Sequence, residues 1–158
     1  MRQREALSAI TVHHVGVQTA DLENSVGWYR EFFGCTVSWT LDEFSELTRS
    51  RLPGIERLVE LVRGDVRFHH FSLRPGEAGR PPAAAGQFQH VCFRVANAEE
   101  LARWRSRWLE LYASGRWSFA VPERATEIDT DKEGVQSFYA LDPNGLEFEF
   151  THVPGDPR

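Results

Sequence analysis

Apolar residues recur along this chain with two periods, and the switches between them mark strand-like and helix-like stretches. Thr11 to Gln18 alternates with Val15 and Val17 apolar, which predicts a strand. Leu22, Val26, Tyr29 and Phe33 then fall at helical spacing, with Asp21 placed to cap the helix and Gly34 to end it. Cys35 to Leu41 reads as a second strand, and Asp42 to Pro53 has room for a short helix. Ile55 to Val62 and Val66 to Leu73 read as two strands joined by the turn signal Arg63-Gly64-Asp65. The run RPGEAGRPPAAAG at 74–86 carries no period and reads as a linker. Beyond it, Phe88 to Val95 is a predicted strand. Asn97 caps a helix with Leu101, Trp104, Trp108 and Leu111 on one face, Glu100 at the capping-box position and Gly115 as the stop. Strands are predicted at Trp117 to Val121, Gly134 to Leu141 and Leu146 to His152, the last two joined by Asp142-Pro143-Asn144-Gly145.

The order strand, helix, three strands therefore occurs twice, and residue matches reinforce the repeat. His14 and His90 are separated by 90 − 14 = 76 positions, and the same offset relates Val15 to Val91, Ala20 to Ala96, Glu23 to Glu99 and Trp28 to Trp104. The expected fold is α+β: two βαβββ modules, at about 11–73 and 87–153, within a single domain spanning 1–158. The modules are expected to form one cupped, eight-stranded mixed sheet with its helices outside.

Alternation also assigns side chains to the cup. With Val15, Val17, Val91, Phe93 and Val95 under the helices, His14, His90, Cys92 and Arg94 take the open face. If Phe71 and Leu73 lie under the helix, Phe68, His70 and Ser72 point inward and His69 outward. In the last strand Leu146, Phe148 and Phe150 are expected in the core, so Glu147 and Glu149 point inward. His14, His70, His90 and Glu149 are thus expected to share one space. Any one of these histidines alone has an ordinary explanation as a hydrogen-bonded strand residue. A duplicated pair with a carboxylate at the same phase points to a metal. His13 and His69 fail the phase test and read as structural or supporting residues.

Length, charge and cysteines narrow the classes. The chain has 158 residues, 41% hydrophobic and 26% charged, enough to bury a core. A net charge of −5 gives no reason to expect nucleic acid or an anionic membrane as partner. No apolar run reaches the ~20 residues of a membrane span, and Met1 to Ile10 is too polar for a signal peptide. Cys35 and Cys92 form no CxxC pattern, which suits a reduced, cytoplasmic protein.

The two-module pattern resembles the vicinal oxygen chelate superfamily, which includes glyoxalase I, bleomycin-resistance proteins and type I extradiol dioxygenases. The segment from Phe138 to Glu149, an aromatic pair, Asp-Pro-x-Gly and then a glutamate, looks like the extradiol signature. Arg67-Phe68-His69-His70-Phe71-Ser72-Leu73 resembles that branch's histidine pair. The resemblance implies Fe(II) held by His14, His90 and Glu149, with His70 as an acid–base residue and Tyr139 as a hydrogen-bond donor to substrate or oxygen. It implies cleavage of a catechol with O2 to a semialdehyde. The single-domain L-DOPA dioxygenases of antibiotic biosynthesis are the type most similar, on Trp28 to Gly34, Ser50 to Ile55 and Val135 to Tyr139. One departure is that Ile128 to Lys132 lacks the histidine such enzymes usually carry before the aromatic pair. Arg94 and Glu147 are candidates for holding an amino-acid substrate's charged groups. The competing expectations are a four-ligand isomerase or lyase, with His70 as a ligand, and a metal-free drug-binding protein. The partners implied are a small catechol and O2, and a homodimer is compatible with the pattern.

Overall fold

A computed structural model describes residues 11–76 and 88–155, so the polar N-terminal stretch and most of the 74–86 linker lie outside the described residues. The first module runs β1 (Val15–Thr19), α1 (Leu22–Phe32), β2 (Thr36–Leu41), α2 (Glu46–Arg51), β3 (Ile55–Arg63) and β4 (Val66–Leu73). The second runs β5 (His90–Arg94), α3 (Ala98–Ala113), β6 (Asp129–Thr130), β7 (Gln136–Leu141) and β8 (Glu147–His152). Each module makes a four-stranded mixed sheet, ordered β1-β4-β3-β2 and β5-β8-β7-β6. In each the first strand runs parallel to the last and the others are antiparallel.

Local chemistry sets these elements. The Asp21 and Asn97 side chains accept from the backbone N–H of Asn24 and Glu100, capping α1 and α3 as expected. Glu100 does not close a capping box, because its carboxylate pairs with Arg103 instead. Gly34 follows α1 at φ 70°, and Gly145 at φ 85° closes the turn into β8.

Two expectations are corrected here. The sheets are separate four-stranded sheets, not one eight-stranded sheet, and both modules bury their apolar faces in one shared core. Phe33, just past α1, has ring centroids 5.1 Å from Phe68 of β4, 5.4 Å from Phe93 of β5 and 5.5 Å from Phe148 of β8. The end of α1 therefore packs against both sheets. Trp117 to Val121 forms no strand. Asn24 clamps this segment onto α1, donating to the Ser118 carbonyl at 2.9 Å and accepting from the Ser118 N–H at 3.0 Å. The Trp117 ring lies across Gly27, where a Cβ would come within 2.6 Å of it. The backbone N–H and C=O of Ser118 are thereby taken up by Asn24, and the strand beside β7 is instead the two-residue β6.

Candidate metal-binding faces

The β4 phase decides what the first module offers. Parallel pairing sets Val17 against His70 and Gly16 against His69, and Val17 and His70 are both fully buried. His70 therefore points into the core, where its Nδ1 lies 2.9 Å from Ser25 Oγ and its ring packs 4.1 Å from that of Tyr29. Its Nε2 has no partner among the described residues, and burial pulls its pKa down to about 3. Phe68 is buried on the same side. This reverses the expected phase: His70 and Phe68 are core residues, and His69 and Phe71 take the open face.

His69 sits there in a built environment. Its Nε2 is 2.8 Å from an Oε2 of Glu60, its partner across β3, and its ring stacks on His14 at 3.7 Å. Trp39 meets the His69 ring edge-on at 5.0 Å. Glu60 is only 2% exposed. Burial raises its pKa, but bonds from His69 and Ser38 and the charge of Arg67 outweigh that, so the carboxylate ionises more readily than usual. His13 joins this cluster, its Nδ1 lying 2.9 Å from His14 Nδ1. Donor atoms of His13, His14 and His69 all lie within 4.8 Å of one another. Desolvation, followed by repulsion from His69 and His13, lowers the pKa of His14 and favours the neutral ring that binds metals.

The second module presents the matching face. His90 Nε2 lies 3.1 Å from Glu149 Oε2, and the Tyr139 ring stands 5.7 Å from that of His90. Register places Cys92, Glu149 and Tyr139 side by side on three strands. Burial, then the charge and hydrogen bond of Glu149, raise the pKa of Tyr139, so its hydroxyl keeps its proton. Burial and Glu149 likewise push the Cys92 thiol up to about 11. Glu147 on the same face accepts from Gln89 Nε2 at 2.8 Å.

The ladders make the two faces equivalent. Gly16–His69–Glu60 in one module occupies the register of Cys92–Glu149–Tyr139 in the other. The module counterpart of Glu149 is therefore His69, not His70. His14 and His69 are brought together, and so are His90 and Glu149. Among the described residues, however, no group of three donors spans the two faces.

Comparison with known proteins places this architecture. A model described as the Glyoxalase/Bleomycin resistance protein/Dioxygenase superfamily matches residues 11–150. The chain belongs to that superfamily. A solved glyoxylase/bleomycin resistance protein/dioxygenase domain from Frankia sp. EAN1pec superposes with a TM-score of 0.71 at 14% identity, covering 94% of this chain and 96% of that one. A glyoxalase family protein from Bacillus cereus gives 0.64 at 15% identity, with 96% and 97% covered. A lactoylglutathione lyase from Agrobacterium tumefaciens gives 0.58 at 21% identity, with 90% and 92% covered. At these identities the likeness concerns the fold. No curated protein matches the chain. Superfamily members bind divalent metals, and the donors here fit such an ion by type: neutral imidazoles and a carboxylate suit iron, nickel, cobalt or zinc.

Sequence reasoning missed Glu60 and set aside His13 and His69. One signal was present: Glu60 is a lone carboxylate between Val59 and Leu61, which are core residues. Alternation alone therefore turns it to the open face, opposite a residue able to bond it.

Proposed function

We propose that this protein is an Fe(II)-dependent extradiol dioxygenase that opens a catechol ring with O2, with L-DOPA in antibiotic biosynthesis as the substrate to test first. The observation that carries this reading is the His90–Glu149–Tyr139 constellation, a metal-type pair with a protonated phenol beside it. His14, His90 and Glu149 would hold the metal. When bound, it supplies a Lewis acid that acidifies a chelated catechol hydroxyl and leaves open positions for substrate and O2.

The remaining roles belong to the chain's own groups. His69, not His70, is the residue placed to take and return a proton. Glu60 occupies Nε2 and orients the ring, which leaves Nδ1 as the working nitrogen. Tyr139 keeps its proton and serves as a hydrogen-bond donor. Trp39, Leu58 and Phe71 share the face of His69 by register and provide apolar walls for an aromatic ring. The free state of both cysteines supports a reducing, cytoplasmic setting.

A second reading, a four-ligand isomerase or lyase, is favoured by the closeness of the His14 and His69 donor atoms. Anaerobic Fe(II) loading followed by catechol and air separates the two. Oxygen uptake with a yellow semialdehyde product is the expected result; isomerisation of an α-keto thiohemiacetal without oxygen uptake would overturn it.

A further inference from the structure

We infer that a charged cavity at the far end of the first module's open face binds the head of the substrate, and that this substrate carries both a carboxylate and an ammonium group. The inference rests on the catechol reading above and names the class of catechol that the open face selects.

The cavity lies where β2 ends and β3 begins. It holds about 550 Å³, within the range of small-molecule sites, and Asp42, Arg49, Gly54, Ile55, Glu56 and Arg74 line it. Asp42 follows β2, Arg49 stands on α2, Glu56 lies at the start of β3 and Arg74 follows β4. Local bonds fix this rim. The Arg49 N–H donates to the Ser45 carbonyl at 3.0 Å, the Ile55 N–H to the Leu52 carbonyl at 3.1 Å and the Arg74 N–H to the Gly54 carbonyl at 2.8 Å. The backbone beneath both arginines is therefore set before any ligand arrives.

Charge is the first argument. Two guanidiniums and two carboxylates surround one space, yet among the described residues none of these four side chains makes a hydrogen bond or an ion pair. Elsewhere on the chain opposite charges at close quarters do pair, as Arg103 does with Glu100 and Arg105 with Glu127. A ligand of one sign would be drawn to one pair of side chains and repelled by the other. A zwitterion satisfies both, with its carboxylate on Arg49 and Arg74 and its ammonium on Asp42 and Glu56.

Position is the second. Register joins the cavity to the face of His69, because Ile55 in its wall pairs with Leu73, and Leu58 pairs with both Phe71 and Leu41. Leu73, Phe71 and His69 alternate onto one side of β4. From His69 to Leu73 the strand advances about 13 Å, at ~3.3 Å per residue. Phe71, Leu58 and Leu41 floor that interval without a charge. An aromatic ring laid there with its hydroxyls toward His14 and His69 sends its side chain to the cavity, and the long arginines reach back to meet it. On the second module, by contrast, Glu147 already accepts from Gln89 at 2.8 Å.

Three probes that share a phenol ring and differ in the tail test this: L-tyrosine, desaminotyrosine, which lacks the ammonium, and tyramine, which lacks the carboxylate. None is a catechol, so calorimetric titration of metal-free protein reads the head-group site apart from chelation. L-tyrosine should bind more tightly than either of the others. The double variant Arg49→Ala, Arg74→Ala should weaken L-tyrosine and desaminotyrosine by about tenfold and spare tyramine. The double variant Asp42→Asn, Glu56→Gln should weaken L-tyrosine and tyramine by a similar factor and spare desaminotyrosine. Circular dichroism should stay unchanged in both. No preference for L-tyrosine, or equal losses for all three probes, would overturn the cavity's role. Charge-selective losses in Arg94→Ala and Glu147→Gln instead would also overturn it. Oxygen uptake by iron-loaded protein is measured separately, with L-DOPA and with plain catechol. Charge-selective binding without uptake by any form would sink the catechol reading and leave the head-group site standing. Ring cleavage that favours neither substrate, in wild type and both double variants, would do the reverse.

Discussion

His69 and His70 are adjacent in sequence and do opposite things. The first lies on an open face against Glu60 and His14; the second is buried between Ser25 and Tyr29. Replacing each with alanine should separate chemistry from stability. His69→Ala is expected to keep its metal and lose turnover by about 10²–10⁴-fold, the usual worth of a positioned proton carrier. His70→Ala should instead leave a cavity and take from Ser25 one of its two hydrogen-bond partners, costing about 2 kcal/mol or more in urea unfolding. Equal loss of metal in both variants would contradict this division. The sequence does not reveal which histidine is which, because Phe68 and Phe71 sit on opposite phases of β4 and support either assignment. Only the pairing of β4 with Val17 of β1 and Leu61 of β3 breaks the tie.

At the level of elements, most of the fold could be read from local signals. The caps at Asp21 and Asn97, the turn at Gly64-Asp65 and the glycine after α1 each act within a few residues, so alternation and spacing expose them. The stretch from Trp117 to Val121 could not be read, because its alternation serves docking onto α1 across 94 positions of sequence. The α1 surface also predicts an acid response. His70 has a folded pKa near 3 against an ordinary 6.5, so below pH 6.5 the unfolded chain binds a proton that the folded chain refuses. Stability should therefore fall as pH drops from 6.5 toward 3, by up to about 1.4 kcal/mol per pH unit from this group. A His70→Asn variant followed by urea titration at stepped pH should lose that share of the slope. An unchanged slope would mean that other groups carry it.

For the whole molecule, the arrangement of the modules matters more than their identity. The repeat at 76 positions announces two equivalent units, yet repetition is silent about whether they join edge to edge or bury their apolar faces together. That choice depends on long-range contacts such as those of Phe33, and it sets where the two donor-bearing faces point. A metal held by the folded chain should stabilise it by mass action. Stripping iron from iron-loaded protein with a chelator is expected to lower the melting temperature, as followed by calorimetry. An unchanged melting profile would argue against a bound ion. Asp142 carries a separate lesson, because its carboxylate closes the turn before β8 while Tyr29 of the opposite half donates to it. A descendant stripped of every donor atom would still need that aspartate as its fastener. Survival of the Asp-Pro-x-Gly letters in a relative thus testifies to an intact joint, and only the side chains at 14, 69, 90 and 149 speak for catalysis.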